Sequence, residues 1–255
     1  MTLKKEILKL TEGVVSKTTD LILVSLFYGF EFGFGGYSNT GKASERATDD
    51  LSGFNYSHLK RTLSYLKKKG LIQLAREKTL GAFITDAGKK RLNSILPVYY
   101  ERRVWDHRIY LITYDLPREK NLKRNKFRTL LKKIGGGMLQ ESVWLTPYNP
   151  KEIVNEFIRS NNLEDELIII STLGKDGTVG DRDISEILYE VYHLSEINER
   201  YTRFIDECKK GRADFKELAF FFLSITRDDP QIPFQLLPEE WVGDQAYELF
   251  KKLTK

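Results

Sequence analysis

Read as a pattern of hydrophobic and polar positions, residues 54–70, FNYSHLKRTLSYLKKKG, place Leu59, Leu63 and Leu66 at steps of four and three. That is the period of a helix with one buried stripe. Asn55 is a suitable N-cap for it and Gly70 a suitable stop. The pattern then changes. LIQLA and AFIT, separated by REKTLG, read as two strands of a hairpin, and TDAGKKRLNSIL returns to a helix that starts at a Thr or Asp cap. Upstream, residues 14–30 read as a strongly apolar helix, and Gly33, Gly35, Gly36 and Gly41 mark a loop. A short helix with Ala43, Ala47 and Leu51 on one face follows. Helix, short turn, helix, hairpin, helix is the layout of a winged helix-turn-helix.

The pattern after residue 107 is different. IYLITY is a buried strand that stops at Asp115, and NLKRNKFRTLLKKIG is a basic helix. MLQESVWLTP reads as a second strand, PKEIVNEFIRSN as a helix and DELIIISTL as a third strand. This is the outline of a ferredoxin-like split βαβ unit. Residues 184–210 read as one long helix carrying Ile187, Val191, Leu194, Ile197, Tyr201 and Phe204. Residues 214–226 add an apolar helix. RDDPQIPFQLLPEEWVG is too rich in proline to be regular and reads as an ordered loop before a last helix, Asp244 to Leu253.

Charge changes the picture more than composition does. Residues 1–107 hold 18 Lys and Arg against 11 Asp and Glu, residues 108–135 hold 9 against 2, and residues 136–255 hold 14 against 23. A basic front half suits a phosphate-rich partner, and an acidic back half does not. A single cysteine, Cys208, excludes a disulfide framework and a multi-cysteine zinc site. No apolar run approaches the roughly 18 residues needed to cross a bilayer, and no secretory signal is visible. The expectation is a cytoplasmic protein with no membrane partner.

On the helix of residues 54–70, the face opposite the leucines carries Tyr56, Ser57, Lys60, Arg61, Ser64 and Lys67. These side chains can donate to phosphates and to base edges in a major groove. Arg76, Lys78 and Thr79 sit at the hairpin tip, where a wing would touch the DNA backbone. The plain alternative is an amphipathic helix with a solvated basic face. The basic helix 120–133 has two readings, as a contact to DNA flanking an operator or as a partner for the acidic back half, and the second is favoured. Tyr28, Phe30, Phe32, Phe34 and Tyr37 read as packing aromatics ahead of an effector pocket. Asp115 stands two residues before Pro117 and reads as a cap on the turn into the basic helix.

Residues 227–250, RDDPQIPFQLLPEEWVGDQAYELF, resemble the C-terminal signature of the PaaX-like transcriptional regulators, with Asp229, Pro230, Pro233, Leu236, Leu237, Pro238, Trp241, Gly243 and Ala246 in step. HLSEINERYTRF is similar to the helix leading into that module. WDHRIYLITYDLP and GGGMLQESVWLTP resemble the family's middle segment, including Asp115, Pro117, Ser142, Val143, Trp144 and Pro147. The resemblance implies a homodimeric repressor, released from DNA by an acyl-CoA effector. The middle segment also resembles the small ferredoxin-fold subunit of CRISPR spacer-acquisition complexes. That likeness implies an alternative, a metal-dependent nuclease using Asp115. No second acid, histidine or base stands near Asp115 in the sequence.

The sequence therefore predicts an α+β chain of three parts. Residues 1–96 form a winged helix-turn-helix DNA-binding domain, 97–183 a ferredoxin-like dimerisation domain and 184–255 a C-terminal helical module. The expected partners are double-stranded DNA with an inverted-repeat operator, a second copy of the chain, and an acyl-CoA-type effector. No catalytic residue, cofactor or metal is expected.

Overall fold

The computed structural model describes residues 23, 56–74, 82–94, 96–174 and 176–254, apart from the side chains of residues 56–60, 74 and 216. Their chain order is α1 (Tyr56–Lys68), β1 (Ile72–Leu74), β2 (Ala82–Ile84), α2 (Asp86–Asn93), β3 (Ile109–Asp115), α3 (Asn121–Lys133), β4 (Gly137–Gln140) and β5 (Val143–Thr146). It continues with α4 (Lys151–Ser160), β6 (Leu167–Leu173), β7 (Thr178–Val179), β8 (Arg182–Asp183), α5 (Ile184–Val191), α6 (Leu194–Lys210), α7 (Phe215–Asp228) and α8 (Gly243–Leu253). Helices and small antiparallel sheets make it an α+β chain. The expected helices and loop before residue 56, the aromatics Tyr28 to Tyr37, and the hairpin tip at 75–81 lie outside the described residues. The chain divides into two compact units. The first takes residues 1–98, 203–227 and 245–255, and the second takes 99–202 and 228–244.

In the first unit, α1 buries Leu63 and Leu66. It ends at Gly70, whose φ of +69° suits glycine. Gly70 N–H bonds to Lys67 O at 2.9 Å and Leu71 N–H to Leu66 O at 3.0 Å, the paired closure of a Schellman turn. β1 and β2 pair antiparallel, with Ile72 opposite Ile84. Thr85 then caps α2, accepting from Gly88 N–H at 3.1 Å while its hydroxyl donates to Gly70 O at 2.6 Å. A Cβ on Gly88 would lie 2.2 Å from Leu71 O, so only glycine lets α2 start this close to the turn. Elsewhere in this unit Phe222 stacks on Phe250 at 4.3 Å and leans on Phe204 at 5.3 Å.

The second unit is built on a four-stranded antiparallel sheet in the order β4-β5-β3-β6. With α3 and α4 as the two crossovers, this is the ferredoxin-like β-α-β-β-α-β arrangement. Period-two alternation along β3 sends Ile112 and Tyr114 to one face, where they pack with Trp144, Phe127 and Leu131 of α3, and Val154 of α4. Ile109 goes to the other face, packed with Leu145 and with Ile184, Ile187 and Leu188 of α5. Burying a side chain of this size is worth about 1.5–3 kcal/mol each.

Two expectations are corrected here. MLQESVWLTP is not one strand but the hairpin β4–β5, because the chain reverses at Glu141-Ser142 while the apolar alternation continues through the turn. Residues 184–210 are not one helix. They break between α5 and α6 at His193, whose φ is +52°. The break frees Tyr192 to donate to Gly135 O at 2.8 Å and Leu145 O at 3.2 Å, so α5 lies against the sheet. A Cβ on Gly137 would meet Val191 Cγ1 at 2.4 Å, which is why the strand carries glycine there.

The chain passes between the units four times, after Val98, Thr202, Arg227 and Asp244. Within the second unit, side chains beside all four passes form one network. Tyr99 donates to Asp244 at 2.7 Å, and its ring meets Tyr201 edge-on at 6.3 Å. Tyr201 donates to Asp229 at 2.9 Å, and Arg200 to Asp228 at 2.8 Å. Arg103, 1% exposed at its side chain, lies 3.7 Å from Asp229, which is fully buried. Its guanidinium is held between the rings of Tyr99 and Phe234 and donates to Ile232 O at 3.0 Å.

Burial pushes the Asp229 carboxyl above the ordinary carboxylate range, and Arg103 works against that push. Because its folded value lies above its unfolded one, this group's contribution to stability falls as pH rises between the two. Removing Arg103 moves the folded value further up. Arg103→Met is expected to cost about 3–5 kcal/mol at neutral pH. The cost shrinks in mildly acidic buffer, where protonation neutralises the stranded carboxylate. Urea melts of both proteins across that range measure it, and a pH-independent cost would show that Arg103 does not answer the charge of Asp229.

Candidate nucleic-acid interface

The face of α1 opposite Leu63 and Leu66 is open to solvent. Arg61, Ser64 and Lys67 all lie exposed on it, as the helical period requires, and Lys68 joins them. Tyr56, Ser57 and Lys60 belong to the same helix, and their side chains are outside the described residues. Arg76 and Lys78 are outside them as well. α1 has no acid in its first turn and ends in Lys67 and Lys68, where cations complement the helix dipole. Tyr65, 51% exposed, has Lys69 over its ring at 5.8 Å. Lys68 and Tyr65 were not among the expected contact residues, although the run SYLKKK holds both. The face offers guanidinium, ammonium, hydroxyl and aromatic groups on one side of a helix that is followed directly by a hairpin. Chemically, it can hold phosphates and touch base edges.

The basic segment finds its carboxylate partners, Glu166 and Glu141, in the acidic residues 136–255, as favoured, but not across a domain or dimer interface. Four cations of this segment turn into the second unit's own ferredoxin-like fold. Lys120 pairs with Glu166, and Arg124 donates to Leu116 O. Lys123 donates to Asn161 O, at the end of α4. Arg128 reaches Tyr114 Oη and Glu141, each at 3.1 Å. The acids in reach are those of the sheet and of the loop after α4, because α3 packs on them.

Asp115 ends β3 opposite Leu167 and is exposed. The expected cap is absent. The 3-10 turn Arg118–Lys120 and α3 both start without a side-chain cap. Among the described residues its carboxylate has no hydrogen bond or ion pair. No group of three or more His, Cys, Asp and Glu suited to a metal ion occurs among the described residues. No helix among them is long and apolar enough to cross a membrane.

An open groove of about 420 Å³ lies in the second unit between α5 and the proline-rich loop. Tyr189, Leu236, Leu237 and Pro238 line it together with Glu186 and the ion pair Arg182–Glu190, which closes at 2.7 Å. Its one guanidinium is already engaged beside two carboxylates, so the groove is poorly suited to the phosphates of a CoA thioester.

Asp115→Asn is expected to shift stability by no more than about 0.5 kcal/mol, as for an exposed, unpartnered side chain. Thermal melts of parent and variant check this. Incubation with single- and double-stranded DNA and RNA in Mg²⁺ or Mn²⁺ is expected to leave the nucleic acids intact. Cleavage by the parent that disappears in the variant would make Asp115 a catalytic residue.

Comparison with known proteins gives these features a frame. No curated protein matches the chain. A solved structure, the uncharacterized protein Rv0674 from Mycobacterium tuberculosis, is similar in fold, with 16% identity and a TM-score of 0.53 over 91% of this chain and 92% of that one. The family profile of the PaaX protein central Cas2-like domain matches residues 102–184. The profile of the PaaX-like protein C-terminal domain matches residues 192–255. The two profiles take in more than half of the sequence, including β3 to β6 and the loop that carries Asp229 and Trp241, and the chain belongs to the PaaX-like family.

Proposed function

We propose that the protein is a sequence-specific, double-stranded DNA-binding transcriptional regulator that acts as a dimeric repressor and is not an enzyme. The observation that carries this reading is the exposed polar and basic face of α1 over its buried leucines. Membership of the PaaX-like family fits it. In this reading α1 is the recognition helix. Tyr56, Ser57, Lys60, Arg61, Ser64 and Lys67 face the major groove, while Arg76 and Lys78 of the hairpin touch backbone.

A second copy is proposed to dock on the end of the sheet that α5 leaves open. There Thr113, Val143, Leu167 and Ile169 share a face, with Leu167 59% and Ile169 45% exposed. Apolar side chains this exposed on neighbouring strands favour an interface. A two-fold dimer would set two recognition helices about 34 Å apart, or a multiple of it, and ask for an inverted-repeat operator. Release by an acyl-CoA-type effector follows from the family resemblance alone.

The direct test is to select genomic fragments with the purified chain and titrate the selected duplex. Lys60→Ala/Arg61→Ala is expected to weaken binding to every duplex and lower the salt slope by about 0.9 for each phosphate that is no longer neutralised. Equal binding by parent and variant would remove α1 from the interface. Ile169→Asp is expected to yield monomers in sedimentation velocity with the fold intact. An unchanged dimer would move the interface elsewhere.

A further inference from the structure

The segment from Arg118 to Lys133 carries eight cations and one acid, Glu119. Packing divides those cations into two sets. Lys120, Lys123, Arg124 and Arg128 are spent on Glu166, Asn161 O, Leu116 O, Tyr114 and Glu141. Arg118, Lys126, Lys132 and Lys133 are exposed and have no hydrogen-bond or ion-pair partner among the described residues. The outer arc of α3 repeats at helical spacing, with Lys126, Thr129 and Lys133 in one row and Asn125 and Lys132 beside it. Lys126 and Lys133 stand about 10 Å apart along the axis, a span that takes in several phosphates of a duplex strand, which recur about every 3.4 Å. An isolated lysine face needs no partner. This face sits on a helix without a single acid, and the helix's other cations, Lys123, Arg124 and Arg128, are already engaged within the unit.

We infer that the outer face of α3 is a second DNA-contacting surface, one that grips the phosphate backbone without reading sequence. The inference rests on the reading of the chain as a DNA-binding regulator. It adds to that reading a surface outside the winged-helix region. Its chemistry is the ammonium groups of Lys126, Lys132 and Lys133, with the amide of Asn125 beside them, on a convex helix. A lysine ammonium is a point charge without a fixed fork of donors, which suits phosphate oxygens more than base edges. The competing occupant is an acidic face of a second copy, since residues 136–255 carry an excess of nine acids.

The test uses the full chain and the variant Lys126→Gln/Lys132→Gln/Lys133→Gln, with Arg61→Ala as reference. Each is titrated by fluorescence anisotropy on the genomic duplex selected by the parent and on a scrambled duplex of equal length. Salt runs from about 50 to about 200 mM. The triple variant is expected to bind both duplexes at least about tenfold more weakly at the lowest salt, with a salt slope lower by about two to three units. Its preference for the selected duplex and its melting curve stay those of the parent. If Arg61→Ala weakens binding while the triple variant titrates like the parent, α3 does not touch DNA and the regulator reading stands. An unchanged salt slope with a changed oligomeric state in sedimentation velocity gives the face to a second copy and overturns the inference. Failure of the parent to bind any duplex overturns both readings.

Discussion

Arg103 and Asp229 are both withdrawn from water, and the architecture of the second unit follows from what that withdrawal requires. A guanidinium in a low-dielectric interior is costly unless its charge and most of its donors are answered. Tyr100 O and Ile232 O accept from Nε and Nη1, the rings of Tyr99 and Phe234 cover the π-facing surface, and Asp229 answers the charge at Nη2, which has no hydrogen bond of its own. Asp229 needs Tyr201 Oη and Gln231 N–H in turn. Each of these groups stands close to a point where the chain leaves or enters the unit. One electrostatic requirement thus ties segments that are more than a hundred residues apart in sequence. The apolar clusters on the two faces of the sheet supply non-directional burial. The polar network supplies register, because a charge moved by one residue would be left unpaired.

The same logic sorts the cations. Where α3 meets the sheet and the end of α4, its lysines and arginines find carboxylates and carbonyl oxygens and become structural. Where it meets solvent they have no charge partner among the described residues, and neither do Arg61, Lys67 and Lys68 on α1. Two helices therefore present cations outward over a buried apolar stripe. This arrangement serves a polyanionic partner and costs little in stability, since exposed lysines retain their hydration.

Local patterns carried much of the fold. Period-two alternation and turn residues marked β1, β2, β3 and β6. Helical spacing marked α1, α3, α4 and α7, and the Thr-Asp pair marked the cap of α2. Other features were hidden for physical reasons. Alternation of apolar residues does not stop at a two-residue reversal, so β4 and β5 read as one strand. Apolar spacing runs through His193, so α5 and α6 read as one helix, and only the hydrogen bonds of Tyr192 to Gly135 and Leu145 show why the chain breaks there. Asp115 resembled a cap by its spacing from Pro117, yet the turn after it starts without a side-chain cap.

What the sequence determined by itself is what adjacent residues decide among themselves. That covers the periods of the elements, the glycines at reversals, the segregation of charge along the chain and the motif from Asp229 to Ala246. It also covers the outward placement of Arg61, Ser64 and Lys67, since spacing from Leu63 and Leu66 suffices for it. Only the tertiary structure decided which of the neighbours Arg102 and Arg103 is buried. Arg103 is chosen because its partner Ile232 lies 129 residues away, beside Asp229, while Arg102 remains in water. Likewise, which cations of residues 118–133 are engaged in the fold depends on Glu166, Asn161 and Glu141 arriving from other elements. Periodicity gives a helix its faces, but burial and charge pairing depend on what packs against each face.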